Sequence, residues 1–154
     1  MEMVILVGLQ AAGKSTFRRT QLGGHVVVSK DLMPNNRNPG RRQVVLIDEA
    51  LSAGSSVVVD NTNPRVADRA TLIEQARRHG ARVIGYYFTA SLDESLERNR
   101  LREGKARVPD VALIVTAKAF IAPCLAEGFD ELFQVRIAAD GRWVVAPDAE
   151  GARR

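Results

Sequence analysis

The chain has one cysteine, Cys124, among 154 residues. That excludes an internal disulfide and any metal cluster built on paired cysteines. Histidine is nearly as scarce: His25 and His79 stand apart, with no partners at metal-ligand spacing. Aromatic residues make up 5%, and there is no tandem aromatic platform of the kind single-strand-binding folds use. No apolar run approaches the length of a membrane span, and no leader is expected before the first strand. A cytoplasmic protein with no membrane association is therefore expected, with a monomer favoured. Internal repeats, linkers and low-complexity blocks are missing as well. Lysine is rare among the 22 basic residues, being confined to Lys14, Lys30, Lys105 and Lys118. A net charge of +4 says little about nucleic acid, so the positions of the charges matter more than their sum. What remains is an ordinary globular composition, 45% hydrophobic, at a length that fits one domain with a real core.

The most informative stretch is residues 4–16. Val4, Ile5, Leu6 and Val7 read as a buried strand. Gly8 to Ser15 then match the phosphate-binding pattern G-x-x-x-x-G-K-[ST] in full. The two glycines permit tight turns, and the loop amides converge on phosphate oxygens. Lys14 is expected to reach the β- and γ-phosphates of ATP, and the Ser15 hydroxyl to hold Mg²⁺. A helix beginning near Lys14 points its positive end at the same anion. The expected phosphate-binding set is Gly8, Ala11, Ala12, Gly13, Lys14, Ser15 and Thr16.

Strands and helices then alternate. A helix over residues 16–21 ends at Gly23-Gly24, and residues 25–29 form a strand that delivers Lys30 and Asp31 at its carboxyl end. In open α/β sheets that is the ligand-binding edge. Residues 33–42 read as a polar loop with Arg37, Arg41 and Arg42. A helix over 43–53, with Val44, Ile47 and Leu51 on one stripe, leads to a strand at 56–60 ending in Asp60. After the turn Asn61-Thr62-Asn63-Pro64 come a helix to His79, a strand at 83–88 and a helix over 93–102. A basic segment to Pro109 is suited to a hinge, so residues 98–110 are the expected lid. A helix from 110 to about 121 and short strands at 132–137 and 143–145 follow, and 147–154 is a loose polar tail. The regular alternation predicts a three-layer α/β/α domain over 1–154 around a mostly parallel sheet, of the P-loop NTPase kinase type.

Asp31 fits a general base for an acceptor hydroxyl in line with the γ-phosphate. A helix cap or a metal-associated carboxylate are the other roles open to it. Asp60 fits an acid that orients Mg²⁺ through water, or one that contacts the acceptor; capping the next turn is the bland role. Asn61 and Asn63 are ordinary turn residues as well as candidate ligand contacts. Arg98, Arg100, Arg102, Lys105 and Arg107 cluster in the lid, where an arginine stabilises charge on a transferring phosphoryl group. Arg98 and Arg102 share one helix face and are the catalytic candidates. Arg100 and Arg107 are the candidates for other ATP contacts. Surface solvation, and helical pairing with Glu94 and Glu97, explain part of this pattern equally well.

Together these motifs resemble a family. The segment from Val57 to Pro64 is similar to a signature of the kinase domain of polynucleotide 5′-kinase/3′-phosphatase. So are Tyr87-Phe88-Thr89-Ala90, the run Asn99 to Glu103, Val108-Pro109, and Leu125 to Phe129. With the phosphate loop and Lys30-Asp31, the resemblance spans residues 3–137 and extends to zeta-toxin-like P-loop phosphotransferases. It implies transfer of the γ-phosphate of ATP to a 5′-hydroxyl of DNA or RNA, with Asp31 as base, Asp60 near the acceptor and lid arginines on the phosphates. Two positions depart from the phage-type pattern: Pro34 stands where an acceptor-binding arginine is expected, and Glu103 where a lid arginine is. Arg37, Arg41 or Arg42 are the candidate replacements at the acceptor side. The length has no room for a phosphatase half, so a repair role is expected to be kinase-only or to depend on a partner protein. The rival expectations are a small-molecule or nucleoside hydroxyl acceptor, and an ATP-binding module that transfers nothing.

Overall fold

The computed structural model describes residues 1–148. Its elements are β1 (Glu2–Val7), α1 (Lys14–Gln21), β2 (Val26–Val28), α2 (Pro39–Ser52), β3 (Val57–Val59) and α3 (Val66–Arg78), followed by β4 (Arg82–Phe88), α4 (Leu92–Arg100), α5 (Asp110–Ala119), β5 (Glu131–Ile137) and β6 (Trp143–Pro147). Short 3-10 turns lie at Lys30–Leu32, Gly104–Ala106 and Leu125–Glu127. The strands form one sheet in the order β2-β3-β1-β4-β5-β6. The first five are parallel, and β6 runs antiparallel to β5.

The apolar run of β1 follows from burial on both faces. Met3, Ile5 and Val7 pack with Ile47 and Leu51 of α2 and Leu72, Ile73 and Ala76 of α3. Val4 and Leu6 pack with Phe17, Leu22 and Trp143 on the opposite side. Helices therefore cover both faces, giving the α/β fold with a mostly parallel sheet that the alternation predicts. Ile5 and Val28 both pair with Val59. That register brings the carboxyl ends of β1, β2 and β3 to one edge, where the phosphate loop, Lys30-Asp31 and Asp60 follow.

Several boundaries differ from expectation. Helix α2 starts at Pro39, because the Asn38 side chain accepts from the Arg41 amide and proline fits the first turn. Its inward stripe is Gln43, Ile47 and Leu51, while Val44 is 44% exposed. Helix α4 begins after Ser91, whose hydroxyl accepts from the Glu94 amide, and ends at Arg100. Arg102 therefore lies beyond the helix and does not share a helical face with Arg98. The tail expected to be loose from 147 is ordered at its start. Pro147 closes β6, and buried Asp148 donates its amide to Leu132 O and accepts from Gln134 Nε2 at 2.7 Å. Residues 149–154 of that expected tail lie outside the described residues.

Candidate active site

The phosphate loop is held by close packing. A Cβ on Gly8 would come within 2.9 Å of the Phe88 Cβ on the neighbouring strand. Gly13 has φ +99°, and a Cβ there would meet the Trp143 ring at 2.9 Å. Ala11 also has a positive φ, 62°, an uncommon conformation for a residue with a side chain. The Gly8 amide donates to Thr62 O at 3.0 Å, tying the loop to the turn after β3.

Lys14 Nζ donates to Gly8 O and Leu9 O, wrapping the loop around the ammonium. Burial lowers the Lys14 pKa to about 8; nearby Asp60 and Asp31 oppose that shift, and Arg102 adds to it. Asp60, 5% exposed at the end of β3, accepts from Ser15 Oγ at 2.8 Å and from Arg18 Nε at 2.9 Å on the same carboxylate oxygen. Arg18 was not anticipated, although a residue three positions beyond Ser15 shares its helix face. Among the described residues no cluster of three or more His, Cys, Asp or Glu side chains is placed to cage a metal. A hydroxyl beside one carboxylate nevertheless fits a Mg²⁺ that keeps several waters and takes phosphate oxygens.

A cleft of about 1210 Å³ runs from this loop into the space between α2 and α3. Asp31 and Lys30 line it beside Ser15 and Asp60, with Gln43 and Val44 from α2 and Leu72, Gln75 and Arg78 from α3. Among the described residues no group hydrogen-bonds the Asp31 carboxylate; its amide donates to Ser29 Oγ at 3.2 Å. Asn61 accepts from the Lys30 amide at 2.9 Å and donates to Gln43 Oε1 at 2.7 Å. Asn63 lines the same cleft and also braces the fold. Its Nδ2 donates to Leu6 O at 2.8 Å, its carbonyl accepts from Arg69 Nη1, and its φ is 46°.

The lid arginines separate. Arg102 and Lys105 line the main cleft. Arg98 lines a second cavity of about 200 Å³ with Ala12, Thr89, Glu94 and Arg136. Arg100 and Arg107 are exposed and line neither cavity, and the same is true of Arg37 and Arg41. The helix ending at Arg100 explains this dispersal, since the chain leaves the helical register before Arg102. The base of the segment expected to be a lid is pinned by buried Asn99, which donates to Val108 O at 2.7 Å and accepts from the Val108 amide at 3.1 Å.

Residues 3–120 match the family described as AAA domain. The chain belongs to that P-loop family. It is 27% identical over 139 residues to a bifunctional polynucleotide phosphatase/kinase of Schizosaccharomyces pombe, covering 87% of this chain and 33% of that protein. A putative bifunctional polynucleotide phosphatase/kinase of Acanthamoeba polyphaga mimivirus is 28% identical over 147 residues, covering 90% and 34%. The chain thus spans about a third of the length of these curated relatives. A solved gluconokinase from Sinorhizobium meliloti 1021 superimposes with a TM-score of 0.63 at 20% identity, covering 99% of this chain and 87% of that one. Family and fold agree on a nucleotide-binding P-loop domain.

Proposed function

We propose that this chain is an ATP- and Mg²⁺-dependent kinase that phosphorylates the 5′-hydroxyl of a polynucleotide. The observation that carries the reading is the Asp31 carboxylate, without a hydrogen-bond partner among the described residues, in the same cleft as Lys14, Ser15, Asp60 and Arg102. A carboxylate with no hydrogen-bond partner among the described residues is available to take a proton from an acceptor hydroxyl. The similarity to two polynucleotide phosphatase/kinases supports the choice of acceptor.

In the proposed reaction Asp31 accepts the hydroxyl proton, the acceptor oxygen bonds to the γ-phosphorus, and the bond to the β–γ bridging oxygen breaks to release ADP. Lys14 and Arg102 hold the oxygens on which charge accumulates. Ser15 and Asp60 are the residues that would hold Mg²⁺, which would supply positive charge to offset that of the phosphates. Arg98 serves the nucleoside end of ATP instead, because its cavity lies against Ala12 on the flank of the loop. A planar guanidinium there can stack on a base.

The test is γ-labelled ATP offered with two matched oligonucleotides, one ending in a 5′-hydroxyl and one already 5′-phosphorylated. Label is expected only on the hydroxyl form. Asp31→Ala is expected to lower turnover by about 10²-fold or more while sparing ATP binding. Near-normal turnover in that variant would remove Asp31 as the base.

One observation favours a second reading, a small or nucleoside hydroxyl acceptor. The arm of the cleft beyond Asp31 has Asp68 and Glu74 alongside Lys30 and Arg78, so its cations are matched by acids. Binding of an oligonucleotide that is insensitive to salt would favour that acceptor, since each phosphate contact adds salt dependence.

A further inference from the structure

We propose that Asn61 is a positioning residue for Asp31, acting through the Lys30 amide. This rests on the reading of Asp31 as the base.

The argument starts from what holds Asp31 in place. Its carboxylate has no hydrogen-bond partner among the described residues, so its position is set by its backbone. That backbone is the 3-10 turn Lys30–Leu32 on the exposed rim of the cleft. Within the segment, Ser29 accepts from the Asp31 amide through Oγ and from the Leu32 amide through its carbonyl, at 3.2 and 3.1 Å. The Met33 amide donates to Lys30 O at 3.0 Å. These bonds shape the turn but do not fix it to the sheet. Met33 packs the end of the turn against the core, and among the described residues the side chain that hydrogen-bonds the turn itself from outside the segment is Asn61, whose Oδ1 accepts from Lys30 N at 2.9 Å.

Asn61 is itself oriented. Its Nδ2 donates to Gln43 Oε1 at 2.7 Å, and Gln43 is buried on α2. An amide with its oxygen on Lys30 and its nitrogen on Gln43 has one rotational setting. The residue before it, Asp60, bonds Ser15 of the phosphate loop. Two adjacent residues at the end of β3 therefore grip the two halves of the reaction: Asp60 the loop that holds the phosphates, and Asn61 the turn that carries the base. A shift of about 1 Å between such groups can cost about 10²-fold in rate, so a fixed spacing has catalytic value.

The experiment compares Asn61→Leu, Asp31→Ala and the double variant, using labelled ATP and the 5′-hydroxyl oligonucleotide. Asn61→Leu is expected to lower kcat by about 10-fold or more, with nucleotide affinity by Trp143 fluorescence unchanged. In the Asp31→Ala background it is expected to add nothing, because residues that act as one unit are not additive. A merely structural defect would slow both backgrounds. Amide hydrogen exchange over residues 29–33 is expected to rise in Asn61→Leu, a readout independent of acceptor. Should Asn61→Leu not fold, Gln43→Leu frees the Asn61 amide and carries the same comparison, with a smaller drop. A normal kcat and unchanged exchange, with Asp31→Ala still slow, would overturn the positioning role alone. A fast Asp31→Ala would overturn the base assignment and this inference together. An equal additional loss in the Asp31→Ala background would assign Asn61 to the fold.

Discussion

Lys14 is an ammonium held nearly out of water, and its pKa of about 8 against an ordinary 10.5 records the cost of that burial. Nucleotide phosphates restore a favourable field, so its pKa rises again when ATP binds. ATP binding is therefore expected to take up a proton near pH 8.5. Its affinity should fall above pH 8, by at most about tenfold per pH unit. Calorimetry in buffers of different ionisation heats checks the first point, and a pH series of affinities the second. The same shift acts in reverse on the ligand-free fold: the penalty for burying the charged amine is full below about pH 8 and fades as pH rises toward 10.5. At this scale the sequence is legible where a residue type and its spacing belong to one local motif. Gly8, Gly13, Lys14 and Ser15 are of that kind. Arg18 on Asp60 and Asn61 on Lys30 are contacts between separate strands and helices, and nothing local in the chain announces them.

Two elements carry loads that a periodicity reading misses. Arg69 on α3 is fully buried and grips Glu127 with two nitrogens at 2.8 and 3.1 Å, while its third nitrogen reaches Asn63 O. Removing the carboxylate leaves a buried guanidinium without its counter-ion. Glu127→Ala is accordingly expected to cost about 3–5 kcal/mol, measured by urea unfolding. Asn99 does comparable work at the end of α4, tying the segment that follows it to Val108. Asn99→Ala should loosen that segment, and limited trypsin digestion should cut faster at exposed Lys105 and Arg107 than in the unaltered chain. The positions of β1 and β3 were legible because buried parallel strands read as apolar runs. The start of α2 was not, since Asn38-Pro39 looks the same in a loop as in a helix cap. Gln43 was also missed: it is polar yet buried, because Asn61 gives it a partner.

Across the whole molecule, the parallel register gathers the carboxyl ends of β1, β2 and β3, and the antiparallel β6 is the outer strand beside β5, with Trp143 at the carboxyl end of β5. The overall layering followed from the strand–helix alternation. The partition of the arginines between two cavities did not, because it depends on where α4 stops in three dimensions. Trp143, the single tryptophan, packs edge-on against Phe17 and Phe88 beneath Gly13. Nucleotide binding at the loop is expected to change its emission, and a titration that leaves the emission flat would argue that the loop does not move against it.

That packing also has a bearing on biosynthesis. The phosphate loop leaves the ribosome well before Trp143, whose ring it rests on and which belongs to the last described strand. A nascent chain lacking β6 exposes Phe17 and Phe88 where the indole belongs, and its loop lacks a floor. Competence to take nucleotide should therefore wait for the synthesis of β6 rather than follow directly on that of the loop.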